Sequence, residues 1–426
     1  MNEENNYNRT EAEALARAEK IRAIRKAVQE GRKPEDADIS VRVRSHEAIP
    51  PLRPVRRVQN NAEDLRQPVP YGKPVKKSGK KKRKKKKTFG QKVRGLFPEK
   101  GDGALEVIRK IVFLISIIAI IVCGYLVADY YIDLWRNDMR NNKIEDIHKT
   151  YNEPKREAKI EIDENGVPQK YYELRLSAQK LIDINPDYVG FIKLPTINGD
   201  DVFALPVVQA KDNSKYLHTS FTGSESRAGT LFMDYRNHFD EVDAKHHLAV
   251  KNSDNIVIYG HNMADDSMFG ALEEYYNNVN YYANHPTIYL ESRYEVYTYK
   301  IFAFFIIDAY DKTETKYDCW NKINFSDEKN FYKFVNEAKR RTIRTNDVDV
   351  KYGDQLLTLS TCNSLLGDNG RLIVMARQVR DGEDMYSGTE NSKANPNIKF
   401  PTMYYNIRKN EHYDPDADFE PYGPEK

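Results

Sequence analysis

The feature that most limits what this chain can become is the run Ile111 to Ala128, eighteen consecutive residues without a charge. Wound as an α-helix it rises about 27 Å, close to the ~30 Å hydrocarbon core of a bilayer, so it reads as one membrane span. A secretory signal peptide would begin near Met1 and end in a small-x-small cleavage site. This run begins more than a hundred residues in and ends without one. An uncleaved anchor over residues 107–132 is therefore expected, and whatever folds must fold on one side of it.

Charge divides the chain at the same place. Residues 1–110 carry 30 Lys+Arg against 15 Asp+Glu, and the remainder carries 37 against 49, so a net charge of only +3 conceals two opposite halves. Ten of the twelve residues from Lys76 to Lys87 are basic, and Lys92, Arg94, Lys100, Arg109 and Lys110 follow on the same flank. The positive-inside rule places this flank in the cytoplasm and everything from about Asp129 onward outside the cell. Beside a span, the lysine run is explained by topology and by attraction to anionic lipid headgroups, so membrane lipid rather than nucleic acid is its expected partner.

Composition then parses the chain. Residues 1–100, rich in charge, Pro and Gln, read as a largely disordered cytoplasmic arm. Within it, Leu15, Ala18, Ile21, Ile24 and Val28 fall at helical spacing over Glu11–Glu30, and Gly31 is placed to end that helix. Residues 133–170 are polar and charged, as in an extracellular stalk. A folded domain is expected over 171–382. It opens on a helix with Tyr171, Leu174, Ala178, Leu181 and Ile182 on one face, stopped at Asn185-Pro186.

Short β-rich runs follow: Tyr188–Leu194, Val202–Val208, Gly229–Met233, Asn255–Tyr259, Thr287–Leu290, Tyr294–Ile307, Gln355–Cys362 and Arg371–Val379. Many short strands punctuated by turn residues predict a mostly-β fold, a closed or nearly closed barrel or a sandwich. One helix interrupts them before the penultimate strand. Phe331, Phe334, Val335 and Ala338 mark its buried face, with Ser326 or Asp327 as cap and Glu328 in its first turn. Residues 383–426, acidic and without periodicity, read as a flexible tail.

The chemistry points to a thiol. Of three cysteines, Cys123 lies in the span, which leaves Cys319 and Cys362 outside; pairing between those two is the structural alternative to a reactive role. Cys362 ends the run Gln355–Cys362, and Arg371 opens the next strand after an eight-residue loop. If the two strands pair antiparallel, thiol and guanidinium face each other at the hairpin mouth, with Thr358, Ser360 and Cys362 on one face by period two. An arginine beside a cysteine favours the thiolate, and its fork can hold an oxyanion. A third group is needed to move protons. Among nine histidines, His261 alone follows directly on an apolar run and a glycine, although His218 and His285 compete for the role. Thiol, imidazole and guanidinium together suffice for acyl transfer through a thioester. Asp254, Asp265, Asp266 and His246-His247 match no metal-site spacing, and solvated loops explain them.

Several segments carry a resemblance: Asn185–Ile192, Leu205–Gln209, Asp212-Asn213, Gly229–Asp234, Ile258–Met263, Met268–Gly270, Thr358–Cys362 and Arg371–Val374. In this order, over about half the chain, they resemble the class B sortases, a family that also has a helix inserted before the last but one strand. The resemblance implies a sortase β-barrel and a membrane-anchored cysteine transpeptidase of a Gram-positive bacterium that needs no cofactor or metal. It implies Cys362 as nucleophile, His261 as general acid and base, and Arg371 as oxyanion stabiliser, with Thr358, Ser360, Thr361 and Asn262 contacting substrate. The implied partners are surface proteins bearing a sorting signal, cleaved after threonine, and an amine of a peptidoglycan precursor (lipid II) or cross-bridge. A pilin polymerase that uses a subunit lysine is the alternative within the enzyme class. A tethered binding module with Cys362 buried is the alternative outside it. The long arm and the tail depart from the family pattern.

Overall fold

The structure, a computed structural model, describes residues 88, 90, 94–163, 165–311 and 317–424. The expected Glu11–Glu30 helix and the Lys76–Lys87 run lie outside the described residues. Two units are distinguished, one ending at Ala128 and the other beginning at Asp129, and helix α1 (Ala104–Thr150) passes through the boundary. In the first unit Ile115, Ile118, Ile120, Ile121 and Leu126, spread around the helix, each expose more than half their surface. An aliphatic surface on every side suits lipid rather than water, and the length and composition fit a single-pass membrane anchor.

The second unit begins with the remainder of α1 and a hairpin, β1 (Lys159–Ile162) and β2 (Pro168–Tyr171). Next come α2 (Leu176–Ile184), β3 (Tyr188–Pro195), β4 (Asp201–Val208), β5 (Leu231–Met233) and β6 (Asn255–Tyr259). Two single-turn helices, α3 (Glu274–Asn277) and α4 (Tyr281–Asn284), lead into β7 (Thr287–Ser292) and the long β8 (Val296–Asp308). The chain continues through α5 (Glu328–Arg341), β9 (Arg344–Thr345), β10 (Leu356–Cys362), β11 (Gly370–Gln378), β12 (Lys393–Ala394) and α6 (Thr402–Ile407). Eight strands close a barrel in the order β10-β11-β8-β7-β3-β4-β5-β6, and β6 returns to pair with β10 in parallel. All eight expected strands belong to this barrel, and closure leaves it no open edge.

β8 shows why its stretch 301–307 is apolar throughout rather than alternating. Tyr299 and Ile301 face the barrel interior, and after a bulge opposite the Met375–Ala376 step the phase inverts, so that Phe304 and Ile306 face inward. Phe302, Phe305 and Ile307 pack outward under Phe331, Phe334 and Val335 of α5. Both faces are covered, so both are apolar. Asp327 is the cap of α5, its carboxylate accepting from the Asn330 amide at 2.8 Å.

Two expectations are corrected. The first half of the expected stalk is a docked helix. Ile144 of α1 packs with Ala178, Leu181, Tyr188 and Phe191, and the fully buried His148 stacks on Phe191 at 3.9 Å with its Nε2 3.0 Å from Glu291. Leu134, Trp135, Met139, Ile144 and Ile147 give about one apolar residue per turn over 133–150, too sparse a stripe to stand out in a polar sequence.

The expected flexible tail is packed as well. Phe400 and Tyr404 stack at 3.8 Å and join the barrel core, and β12 pairs with β9. Tyr422 is buried beside α5, exchanging two backbone hydrogen bonds with the Asn336 side chain at 2.6 and 3.1 Å. These anchors are single aromatics far apart in sequence, so no periodicity announces them.

A candidate cysteine active site

The parallel pair β6–β10 and the antiparallel pair β10–β11 bring the expected groups to one end of the barrel. Cys362 is the last residue of β10 and is directly opposite Arg371 in the ladder, so their adjacency is a consequence of strand register. The thiol is free and exposed. Cys319, by contrast, is fully buried and forms no disulfide with Cys362, so the disulfide alternative does not hold. Between the two strands, residues 364–369 form two short 3₁₀ turns broken by a kink at Leu366 and Gly367, the latter at φ +66°, and Arg371 Nη1 donates to the carbonyls of Asp368 and Gly370, each at 2.8 Å. The guanidinium is thereby braced against the loop that precedes it.

His261 comes from the other neighbour of β10. β6 ends at Tyr259 in register with Ser360, and the Gly260 amide donates to the Ser360 carbonyl at 3.2 Å, which carries the next residue to the same rim. Gly260 has to be glycine because a Cβ there would stand 2.3 Å from Leu231 Cδ2 and 2.6 Å from Phe269 Cδ2. The imidazole is half-buried, and its Nε2 lies 2.8 Å from the Leu217 carbonyl. A carbonyl can only accept, so Nε2 carries a proton and Nδ1 is left to exchange one. His218 stacks over the ring with centroids 6.0 Å apart. His285 is buried, bonded to Tyr281 and not on the cleft; burial lowers its pKa, so it does not share the role.

Cys362, His261 and Arg371 line one cleft of about 360 Å³. Ser360 and Thr361 line it too, both nearly buried, and the Thr361 hydroxyl lacks a hydrogen-bond partner. Asn262 works from the side, its Nδ2 donating to the Cys362 carbonyl at 3.0 Å and tying the histidine segment to the cysteine strand. Thr358 is not brought to the cleft. It shares the face of Ser360 and Cys362 but is fully buried, with Oγ1 bonded to Asn255 Oδ1 at 2.8 Å.

Other cleft residues were not anticipated as site residues: Asn213, Leu217, Tyr259, Tyr310 and Trp320. Asn213 and Tyr259 converge on Asp234, whose carboxylate accepts from them at 2.9 and 3.0 Å and from Arg236 at 2.7 and 2.8 Å. Burial pushes the Asp234 carboxyl up, but the bonds from Arg236, Asn213 and Tyr259 outweigh it and hold it below the usual carboxylate range. The Tyr259 hydroxyl is pushed up by burial and by the Asp234 charge, so it remains a donor. The motif segments contain Asn213, Asp234 and Tyr259, which is the signal that could have found them. Leu217 acts through its backbone and leaves no side-chain signature.

Comparison with known proteins points to one family. The Sortase domain family model matches residues 238–379. Sortase B of Staphylococcus aureus is 29% identical over 270 residues, spanning 63% of this chain and 95% of the relative. Sortase B of Listeria monocytogenes is 31% identical over 208 residues, spanning 49% of this chain and 76% of the relative. A solved sortase B from Bacillus anthracis is 28% identical, with 59% of this chain and 99% of that one covered and a TM-score of 0.44.

Proposed function

The chain belongs to the class B sortases, a family of cysteine transpeptidases, and on that premise we propose that Cys362, His261 and Arg371 carry out peptidyl transfer from a sorting signal to an amine. The observation that carries this reading is the convergence of the three groups on one cleft with the thiol exposed, Arg371 opposite it in register and His261 delivered by the neighbouring strand.

In the first half-reaction the Cys362 sulfur attacks the carbonyl carbon of the sorting-signal threonine. The C–N bond breaks, His261 Nδ1 gives its proton to the leaving amine, and a thioester remains. Arg371 stabilises the oxyanion of the tetrahedral intermediate, its backbone in the ladder and Nη1 on the loop carbonyls giving a fixed donor. In the second half an amine of a peptidoglycan precursor attacks the thioester, His261 takes its proton, and the thiolate is released. The apolar part of α1 anchors the enzyme with its basic flank in the cytoplasm and the barrel outside, which supports a substrate met at the cell surface.

The test is to incubate the full chain in detergent with a sorting-signal peptide and a glycine-based amine, and to follow cleavage and transfer by mass spectrometry. Both products are expected from the wild type and neither from Cys362→Ala. Cleavage that persists in Cys362→Ala, or a wild type inert toward every sorting peptide of a randomised library, overturns the proposal.

A further inference from the structure

One wall of the cleft is supplied by no barrel strand. It is the segment 317–325 between β8 and α5, and Trp320 is the residue it presents to the cleft. Two polar pairs reach this wall, one half-buried and one fully buried. In the first, the guanidinium of Arg236, held by the fully buried Asp234, donates from Nη2 to the Trp320 carbonyl at 3.1 Å and from Nη1 to Asn321 Oδ1 at 2.7 Å. In the second, Thr358 donates to Asn255 Oδ1, which orients the amide so that Nδ2 donates to the carbonyls of Lys322 at 2.9 Å and Cys319 at 3.3 Å. Thr358 and Asn255 are both fully buried, so their bonds are not exchanged with water and breaking them leaves polar groups stranded.

The reactive groups are held by other means. Cys362 and Arg371 are fixed by the β10–β11 ladder, and His261 by the Leu217 carbonyl. A displaced wall therefore changes the shape of the cleft without moving the sulfur.

We infer that Asp234–Arg236 and Asn255–Thr358 are two clasps that seat the Trp320 wall, and that this seating sets how tightly the peptide donor binds rather than how fast Cys362 reacts. The inference rests on the reading of the cleft as the donor site. The four residues are positioning residues, since none of them is placed against the reacting atoms.

Arg236→Lys isolates the first clasp. It keeps a cation beside Asp234, but a point charge cannot span the carboxylate and the Trp320 carbonyl as a fork does. Thr358→Val, nearly isosteric, isolates the second. Both are made in the full chain carrying Trp135→Phe, which leaves Trp320 as the sole tryptophan of the two in the sequence. Each variant is expected to raise KM for the sorting peptide about tenfold, the size of one net hydrogen bond, while kcat stays within about twofold. Alkylation of Cys362 by iodoacetamide is expected at the wild-type rate, which certifies an intact thiol environment. Trp320 emission is expected to shift to the red and to become more open to acrylamide quenching.

Unmoved Trp320 emission, a wild-type KM in both variants, or a fall in kcat at constant KM each overturns the inference while leaving the proposed function standing. A wild type that cleaves no peptide overturns both.

Discussion

At the scale of single residues, the site depends on who holds each reacting group. The imidazole of His261 is oriented by a backbone carbonyl, and so its tautomer is set by the path of the chain at Leu217 rather than by a carboxylate partner. Arg371 combines a strand position opposite the thiol with a side chain tied to its own loop. Arg371→Ala is expected to lower kcat/KM about 100- to 1000-fold, the loss typical of a missing oxyanion donor. Arg371→Lys should recover little of it, because the fork and not charge alone is needed. Steady-state assays with one sorting peptide settle this, and full activity in Arg371→Ala would reduce the residue to a structural role. Gly260→Ala would thrust a methyl group to 2.3 Å from Leu231 Cδ2. A cost of about 1–3 kcal/mol in unfolding free energy is expected from such overpacking, together with slower turnover as His261 shifts. An unchanged denaturation midpoint would mean that Leu231 and Phe269 simply yield.

Elements carry the next level of control. From Asp129 to Thr150, α1 is fastened to the barrel by Ile144 and by His148, which stacks on Phe191 and meets Glu291, a carboxylate on which Arg175 and Lys193 also converge. Burial pushes the Glu291 carboxyl up, yet the hydrogen bond from His148 and the charges of Lys193 and Arg175 outweigh it and leave it below its ordinary value. A carboxyl depressed in the folded state contributes stability that is fully present above its unfolded pKa, about 4.3, and is lost as pH falls through the folded value. Below about pH 4 the melting temperature of the wild type is therefore expected to fall more steeply than that of Glu291→Gln, which has no charge there to lose. Parallel Tm–pH curves for the two proteins would show that the carboxylate contributes nothing to docking. On α5, Asp327→Ala removes the cap bond to Asn330 and is expected to cost about 1 kcal/mol by urea denaturation.

For the whole molecule, the tail completes the barrel rather than trailing from it. Lys300 and Arg377, both almost wholly buried on adjacent strands, share the carboxylate of Glu383, and Lys300 also donates to Ser387. Hydrogen bonding from Arg377 above all holds the Glu383 carboxyl far below the usual range, so Glu383 is ionised at any working pH. Glu383→Ala leaves two buried cations without their common partner, and a loss of about 3–5 kcal/mol is expected. Truncation after Arg380 should cost at least as much, since Phe400, Tyr404 and Tyr422 leave with it. A truncated chain with the wild-type urea midpoint would return the segment to the status of an appendage.

How much of this was legible depends on distance in the chain. Each of the eight barrel strands could be read because its apolar run and turn residues are local, and Cys362 met Arg371 because two strands joined by a short loop pair with each other. His261 was reachable because it follows a strand and a glycine. Thr358 lies away from the cleft: period two gave its face correctly, but its burial and its bond to Asn255, far upstream in the chain, have no local signature. The docking of α1 and of the tail was missed because a few isolated side chains do it. The chain's own order of residues thus determined the apolar run, the charge asymmetry, the strands and which groups are candidates for the chemistry, all of which follow from short-range pattern. Tertiary structure alone decided which of those groups meet, which hydroxyls stay dry, and which carbonyl holds the histidine, because contacts between residues a hundred positions apart are set by packing and closure and not by any property of the residues taken singly.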